Sequence, residues 1–273
     1  MFLRILAPIL FLATLVSPAQ AGLDKVQVEA FLKTTGFDVA VESIAQSARH
    51  APAMIGIEAE AFGTDWMRLA ESVFAPEDMT ATAAAMLSEA MDREMLVHGV
   101  EFYASDLGER LVAAENASHA STDETRQDQG KAILAELESK NPERVELFKR
   151  MNTAIDAGNM SARAMEEIQI RFLSAAANAD VIHLQVDIAQ LRAMIAEGRE
   201  AMAAQMEEGS LANAALTYQP FSDEELVAYA EALEHPTMQK VYELMNAVQY
   251  EIMANRFEVL ASRMSELHPG QDL

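Results

Sequence analysis

Cysteine is absent from the 273-residue chain. This absence excludes disulfides, thiol catalysis, thiolate metal sites and a lipid anchor carried on cysteine. Glycine and proline are also scarce, at 11 and 8 residues, and aromatic side chains make up only 6% of the chain. Few segments are rich enough in Val, Ile, Thr or Tyr to indicate strands. Because Ala, Met, Leu and Glu are abundant instead, the composition predicts an all-α fold, a multi-helix bundle.

Basic residues are few as well. The chain has 20 Lys and Arg against 43 Asp and Glu, for a formal net charge of −23. Such a surface repels phosphate backbones and anionic lipid, so we do not expect nucleic acid as a partner. The sequence also lacks a Gly-x-Ser-x-Gly elbow and a phosphate-binding glycine loop. No catalytic residue and no cofactor is therefore predicted from a motif.

The first residues have the order of a secretory signal. The basic residue Arg4 precedes an apolar run over residues 5–16, and the small-residue site Ala19-Gln20-Ala21 stands before Gly22. A run of about a dozen apolar residues is too short for a stable membrane span, and no later stretch reaches the roughly 18 to 20 residues required. These features predict a signal peptide over residues 1–21, cleavage between Ala21 and Gly22, and a periplasmic or secreted protein.

The remaining chain divides by composition into two units. We expect an N-terminal helical unit over residues 22–116, a linker over residues 117–130 and a C-terminal helical unit over residues 131–273. The linker segment is predicted because it offers almost nothing to bury. Four residues are expected to separate short helices in the first unit: Gly36, Pro52, Gly63 and Pro76.

Helix boundaries in the second unit are marked by capping residues. Asn141 before Pro142 predicts a helix start, and Ser222 with Glu225 three residues later forms a capping box. Ser161 is expected to cap another helix. That segment is expected to continue, with one break near residues 176–180, into a long amphipathic stretch.

The long amphipathic stretch is predicted from apolar residues at steps of mainly three and four between Leu184 and Met206. Only Gly198 weakens the pattern. The run Glu208-Gly209-Ser210 is expected to end the stretch.

The two units share a weak internal sequence similarity. With a shift of 130 residues, residues 94–111 align with residues 224–241, and each copy consists of an amphipathic helix, a tight break and a second helix. In the first copy Ser105 is the expected cap of the second helix. In the second copy His235 precedes Pro236, which disfavours helical geometry at His235 and suits the first turn of a new helix. The fold is therefore predicted to contain two related helical-hairpin units.

The first copy resembles a short family signature. In the bacterial domain-of-unknown-function family 2059 the recurring piece is Phe-Tyr, two residues later Thr-Pro, and then Gly. Phe102, Tyr103 and Gly108 match that piece, whereas Ser105-Asp106 replaces Thr-Pro. The second copy keeps Pro236 but has other residues in the aromatic and glycine positions. The resemblance implies an all-helical extracytoplasmic module in two tandem copies, with no assigned activity. The motif residues are structural marks: Phe102, Tyr103, Ser105, Gly108, Leu233, His235 and Pro236.

Two groups of ionisable residues have spacings that suit metal ligands on one helical face. They are Glu94, His98 and Glu101, and Asp180, His183 and Asp187. Helical bundles hold metals with carboxylate and imidazole groups, but the usual pair of Glu-x-x-His motifs is absent. In a chain with 43 acidic residues such spacings arise readily, so solvated faces or ion pairs are the preferred interpretation.

Methionine is abundant, with 17 residues. Core packing is the preferred interpretation, and binding of cuprous ion or a flexible apolar groove are the alternatives. Nine of the methionines fall in three groups: Met86, Met91 and Met95; Met194, Met202 and Met206; and Met245, Met253 and Met264.

Taken together, the sequence favours a non-catalytic binding or scaffolding module of the cell envelope. Its partner is expected to be an envelope protein. The alternative is a metal-binding or metal-dependent helical-bundle enzyme that uses His98 or His183.

Overall fold

The computed structural model describes residues 23–55, 63–123, 125–156 and 160–267. The predicted signal peptide over residues 1–21 lies outside them. Within these ranges every regular element is a helix, which confirms the predicted all-α fold. None of the helices in the described part of the chain is both long enough and apolar enough to cross a bilayer.

Short helices joined by tight turns make up the first half of the chain. Gly36 ends the first helix with φ 71°, and Gly63 and Pro76 are each the first residue of a helix, as predicted. Pro52 instead lies inside a 3-10 helix, so the break expected there is wrong. The bounds are α1 Lys25–Thr35, α2 Phe37–Glu42, α3 Ile44–Ser47, the 3-10 helix Ala48–Ile55, α4 Gly63–Val73, α5 Pro76–Ala90, α6 Arg93–Tyr103 and α7 Asp106–Ala120.

Longer helices form the second half. Asn141 accepts a hydrogen bond from the Arg144 backbone N–H at 3.3 Å, and Ser222 accepts one from the Glu225 backbone N–H at 3.2 Å, so both predicted caps are confirmed. The bounds are α8 Arg126–Lys140, α9 Pro142–Ile155, α10 Met160–Asn178, α11 Ile188–Glu197, α12 Arg199–Thr217, α13 Asp223–Leu233, α14 Pro236–Arg263 and a final 3-10 turn Met264–Glu266.

Two helix boundaries differ from the prediction. Ser161 does not cap α10; it lies within the first turn, where its backbone N–H donates to Asp156 Oδ1 at 3.0 Å. The run Glu208-Gly209-Ser210 does not end α12, which continues to Thr217. The buried residues of its last turns, Leu211 among them, pack against neighbouring helices, and this burial outweighs the low helix propensity of Gly209.

Helix α14 lies at the centre of the structure. Its 28 residues span roughly 42 Å at 1.5 Å per residue. It packs against α4, α5, α6, α9, α10 and α13. The Phe257 ring meets Phe74 and Phe172 edge to face, at centroid distances of 5.4 and 6.0 Å. The buried residues of this helix therefore contact helices from both halves of the chain.

The segment predicted as a linker is mostly helical. Residues 117–120 complete α7, residues 126–130 begin α8, and residues 121–123 lie outside helices. At Gly130 a Cβ atom would come within 2.3 Å of the Ala212 carbonyl oxygen, so α8 and α12 pack closely at this point. Buried side chains from both sides of the segment belong to one core. The division into units 22–116 and 131–273 stays a prediction.

Candidate functional site

The predicted motif residues form the tight turn between α6 and α7. Ser105 caps α7 by accepting a hydrogen bond from the Gly108 backbone N–H at 3.1 Å. Its own hydroxyl donates to the Phe102 carbonyl at 2.6 Å. A Cβ atom at Gly108 would lie 2.3 Å from that carbonyl oxygen and 2.6 Å from the Tyr103 Cα atom. Glycine therefore lets α7 start in direct contact with the end of α6.

The segment predicted as a second copy of the motif forms the turn between α13 and α14. Its Leu233 side chain is buried, as is Tyr103 in the first copy. His235 caps α14 through Nδ1, which accepts from the Thr237 backbone N–H at 3.2 Å, and Pro236 is the first helical residue. His235 and Ser105 thus occupy aligned capping positions.

The α13–α14 turn packs against the first half of α6. The imidazole rings of His98 and His235 stack with a centroid distance of 4.3 Å and an interplanar angle of 27°. Beside them, the Thr237 hydroxyl donates to Glu94 Oε1 at 3.2 Å. These contacts account for two of the three candidate metal ligands on α6.

His98 is half-buried in this interface. Burial lowers the pKa of the His98 imidazole, and the neighbouring His235 lowers it further, whereas Glu101 and Glu94 oppose the shift. Glu94 and Glu101 are exposed. Over the residues that the structure describes, no three His, Asp or Glu side chains converge in a way that could hold a metal ion.

The second candidate metal group lies outside a helix. Asp180, His183 and Asp187 are exposed residues of the connection between α10 and α11, where Asp180 has φ 59°. The helical spacing on which this group was predicted is therefore wrong. Asp187 instead caps α11 by accepting from the Gln190 backbone N–H at 2.8 Å.

Four tyrosines gather around one carboxyl group next to the α6–α7 turn. This tyrosine cluster consists of Tyr103, Tyr218, Tyr229 and Tyr242 with Glu115. The hydroxyls of Tyr218 and Tyr229 donate to Glu115 Oε1 at 2.7 and 2.8 Å. The Tyr103 hydroxyl bonds to those of Tyr229, at 3.3 Å, and Tyr242. Four of these residues lie in α6, α7, α13 and α14, and Tyr218 directly follows α12.

Burial raises the pKa values of the groups in the tyrosine cluster. Glu115 as a whole residue keeps some exposure, but its carboxyl lies among the rings, and this burial raises its pKa against the opposing effect of the two tyrosine hydrogen bonds. Burial and the nearby carboxylate raise the pKa of the Tyr229 hydroxyl well above its ordinary value. The hydroxyls therefore remain donors, and the arrangement joins helices rather than supplying a nucleophile. Sequence reasoning singled out only Tyr103 in this cluster.

An open polar groove lies on another part of the surface, where α9, α10, α12 and α14 meet. Its volume is about 420 Å³. We call it the polar groove. It is lined by Lys149, Asn152, Thr153, Ile155, Asp156, Ser161, Ala203, Met206, Glu207, Ser210, Asn246 and Tyr250.

Hydrogen-bonding groups of the polar groove are only partly satisfied. Asn152 Oδ1 accepts from the Ser210 hydroxyl at 3.0 Å, but Asn152 Nδ2 is buried and has no partner among the described residues. Asn246 Nδ2 donates to the Ile155 carbonyl at 2.7 Å. Burial raises the pKa of Tyr250 to about 12, so its hydroxyl stays protonated. No motif in the sequence marks the residues of this groove, so it could not be predicted.

The methionine groups are divided between core and surface. Met91, Met245 and Met264 are buried, as the core-packing interpretation predicts. Met194 is 59% exposed. A second groove of about 500 Å³ has mixed apolar and polar walls, lined by Gln127, Lys131, Met165, Met202, Gln205, Met206, Glu208 and Gly209.

Comparison with known proteins shows that part of the chain is similar to a bacterial family. Residues 77–136 match the family described as "Uncharacterized protein conserved in bacteria (DUF2059)". This match confirms the resemblance indicated by Phe102, Tyr103 and Gly108, and it includes α6 and α7. No characterised protein and no solved structure matches the chain significantly.

Proposed function

Starting from the match of residues 77–136 to an uncharacterised bacterial family, we propose that the chain is an exported, non-catalytic binding module of the cell envelope. The polar groove is its binding surface. Export is supported by the basic start, apolar run and small-residue site within residues 1–21. The acidic composition and the lack of cysteine suit a free-standing protein in that compartment.

The unpartnered amide in the polar groove carries the proposal. A buried donor without a partner costs about 1 to 3 kcal/mol, and proteins rarely leave one unexplained. Asn152 Nδ2 is such a donor, at the wall of an open groove. This nitrogen is closed to solvent in the structure, so a bound acceptor would satisfy it only after the Asn152 side chain turned toward the groove.

A binding role is favoured over catalysis because the most perturbed acid–base groups are engaged with one another. Glu115 receives two hydroxyl donors on a single oxygen, and those hydroxyls belong to tyrosines whose pKa values are raised by burial. On α6, Glu94 and His98 each contact the α13–α14 turn. Nothing in these contacts favours the metal-dependent alternative.

Cell fractionation tests the proposed location. The full chain expressed in a Gram-negative host should appear in the periplasm or medium, shortened by its first 21 residues. A variant that starts at Gly22 should stay in the cytoplasm and serves as the control. Retention of the full chain in the cytoplasm, uncut, would contradict the proposal.

The absence of cysteine allows a direct test of the binding surface. Thr153 lies exposed at the polar groove, whereas Ser139 is an exposed residue of α8 outside the groove lining. A photo-crosslinker attached to a cysteine at Thr153→Cys should capture a specific envelope component in cells. The same reagent at Ser139→Cys should capture none. Equal capture at both positions, or none at Thr153→Cys, would refute the groove as the binding surface.

A further inference from the structure

We infer that the second groove, which lies between α8, α10 and α12, is a binding site for cuprous ion. We call it the methionine groove. It shares only Met206 with the polar groove, so this inference goes beyond the proposed function and does not depend on it. It follows from the thioether groups in the lining, their placement on two packed helices and the pairing of the charged groups beside them.

Three methionine side chains line the methionine groove. Met202 and Met206 are one helical turn apart on the same face of α12, and Met165 lies on α10, which packs against α12. Residues four apart in a helix have Cβ atoms about 5 to 6 Å from each other, so both side chains can meet at one ion. The groove has a volume of about 500 Å³, which leaves room for that ion between the two helices.

An ion pair fixes α10 and α12 relative to each other beside the methionines. Arg199 Nε donates to Glu166 Oε2 at 2.7 Å. Met165 directly precedes Glu166, and Met202 follows Arg199 by three residues. All three methionines therefore project from regular structure that a direct contact holds in place.

Core packing does not account for Met202 and Met206. Both are half-buried at the groove. Among the described residues, the core and the apolar side chains packed against it include Met165 but neither Met202 nor Met206. A methionine side chain is unbranched and has three rotatable bonds. These two thioethers can therefore turn toward a bound ion without disturbing the core.

Thioether sulfur discriminates between metal ions. It is a soft, uncharged donor that suits cuprous ion, whereas oxygen ligands suit magnesium, calcium and manganese. Zinc in proteins takes thiolate, imidazole or carboxylate ligands. The carboxylate in the lining is already paired, since Glu208 Oε1 lies 3.3 Å from Lys131 Nζ. Because the chain has no cysteine, no thiolate of its own competes for a soft ion, and its net charge of −23 favours the approach of a cation.

Anaerobic titration of the exported full chain with cuprous ion tests the inference. Competition with a coloured cuprous chelator gives the affinity, and copper X-ray absorption identifies the ligand atoms. We expect one ion per chain, bound through sulfur, with shifted methyl NMR signals for Met165, Met202 and Met206. Zinc, as the comparator, should leave these signals unchanged. No binding of cuprous ion, coordination by oxygen and nitrogen alone, or shifts confined to other methionines would overturn the inference.

Leucine substitutions tie binding to the methionine groove, because leucine keeps the size of the side chain and removes the sulfur. Met202→Leu and Met206→Leu should each weaken cuprous binding at least about tenfold, since even the loss of a contact that supports a metal ligand costs about 10- to 100-fold. Met194→Leu is the matched control: Met194 is 59% exposed on α11, outside the groove lining, and its loss should leave binding unchanged. Unchanged affinity in the variant that combines both groove substitutions, or an equal loss in Met194→Leu, would overturn the site. Circular dichroism of each variant checks that the helical fold is kept.

Discussion

Gly108→Ala is expected to destabilise the protein because the added methyl group forces α7 and α6 apart. The added Cβ atom would lie 2.3 Å from the Phe102 carbonyl oxygen and 2.6 and 2.8 Å from the Cα and carbonyl carbon of Tyr103. All three atoms belong to the backbone, so no side chain can rotate to make room. Relief of the clash requires the two helices to separate and disturbs the tyrosine cluster through Tyr103.

The expected loss is about 1 to 3 kcal/mol, as for other additions to a well-packed region. It outweighs the gain of up to about 1 kcal/mol that alanine normally brings over glycine inside a helix. In a protein of this size, 1 kcal/mol corresponds to roughly 2 to 4 °C in the melting temperature. Thermal unfolding followed by circular dichroism should therefore show Gly108→Ala melting several degrees lower.

Gly209→Ala is the matched control, because it also replaces a helical glycine. A Cβ atom there would meet only the Gln127 side-chain nitrogen, at an ordinary 3.7 Å. This variant should be as stable as the parent or more stable, by up to about 1 kcal/mol. Equal melting temperatures for Gly108→Ala and the parent would refute the reasoning.

Three further variants test other contacts, each by urea unfolding. Because burial raises the pKa of Glu115, the parent loses folding free energy as the pH rises from 4.5 through that pKa. Glu115→Gln lacks this titration, so its stability relative to the parent should increase over the same pH range. The lowered pKa of His98 means that stability falls as pH drops below 6.5, and His98→Phe should remove this part of the acid sensitivity. Arg144 is buried, pairs with Asp223 and donates to two carbonyls of the α12–α13 loop at 2.7 and 2.9 Å, so Arg144→Met should cost about 2 to 3 kcal/mol. A pH-independent difference for either of the first two variants, or an unchanged midpoint for the third, would contradict the corresponding contact.

Local signals predicted helix ends well. Ser105, Asn141, Ser222 and the His235-Pro236 pair mark helix starts in the structure, because a cap or a proline acts within a few residues of itself. The all-α fold followed from composition for a similar reason. Such signals depend on short stretches of the chain and need no tertiary context.

Predictions failed where tertiary packing decided the outcome. The break predicted near residues 176–180 is confirmed, because α10 ends at Asn178. The continuous stretch predicted from Leu184 to Met206 is wrong: α11 begins only at Ile188, and Gly198 separates it from α12. Helix α11 packs back against α10. Arg192 pairs with Glu167 across this contact at 2.7 Å. Periodicity alone cannot show where a helix must stop for the chain to reverse.

The tyrosine cluster and the Asn152–Ser210 contact could not be predicted from the sequence for a different reason. Glu115 meets Tyr218 and Tyr229 across 103 and 114 residues of chain, and Asn152 meets Ser210 across 58. No spacing rule links residues so far apart. Single residues of common types therefore gave no signal until the fold brought them together.

Selective 15N labelling of asparagine tests most directly whether the polar groove is the binding surface. The labelled exported chain would be titrated with the low-molecular-weight fraction of a bacterial envelope extract, and its side-chain amide signals recorded. Binding at the groove predicts shifts for Asn152 and Asn246, with Asn141 and Asn213 unchanged. Unchanged signals for Asn152 and Asn246, or shifts confined to the other asparagines, would contradict it.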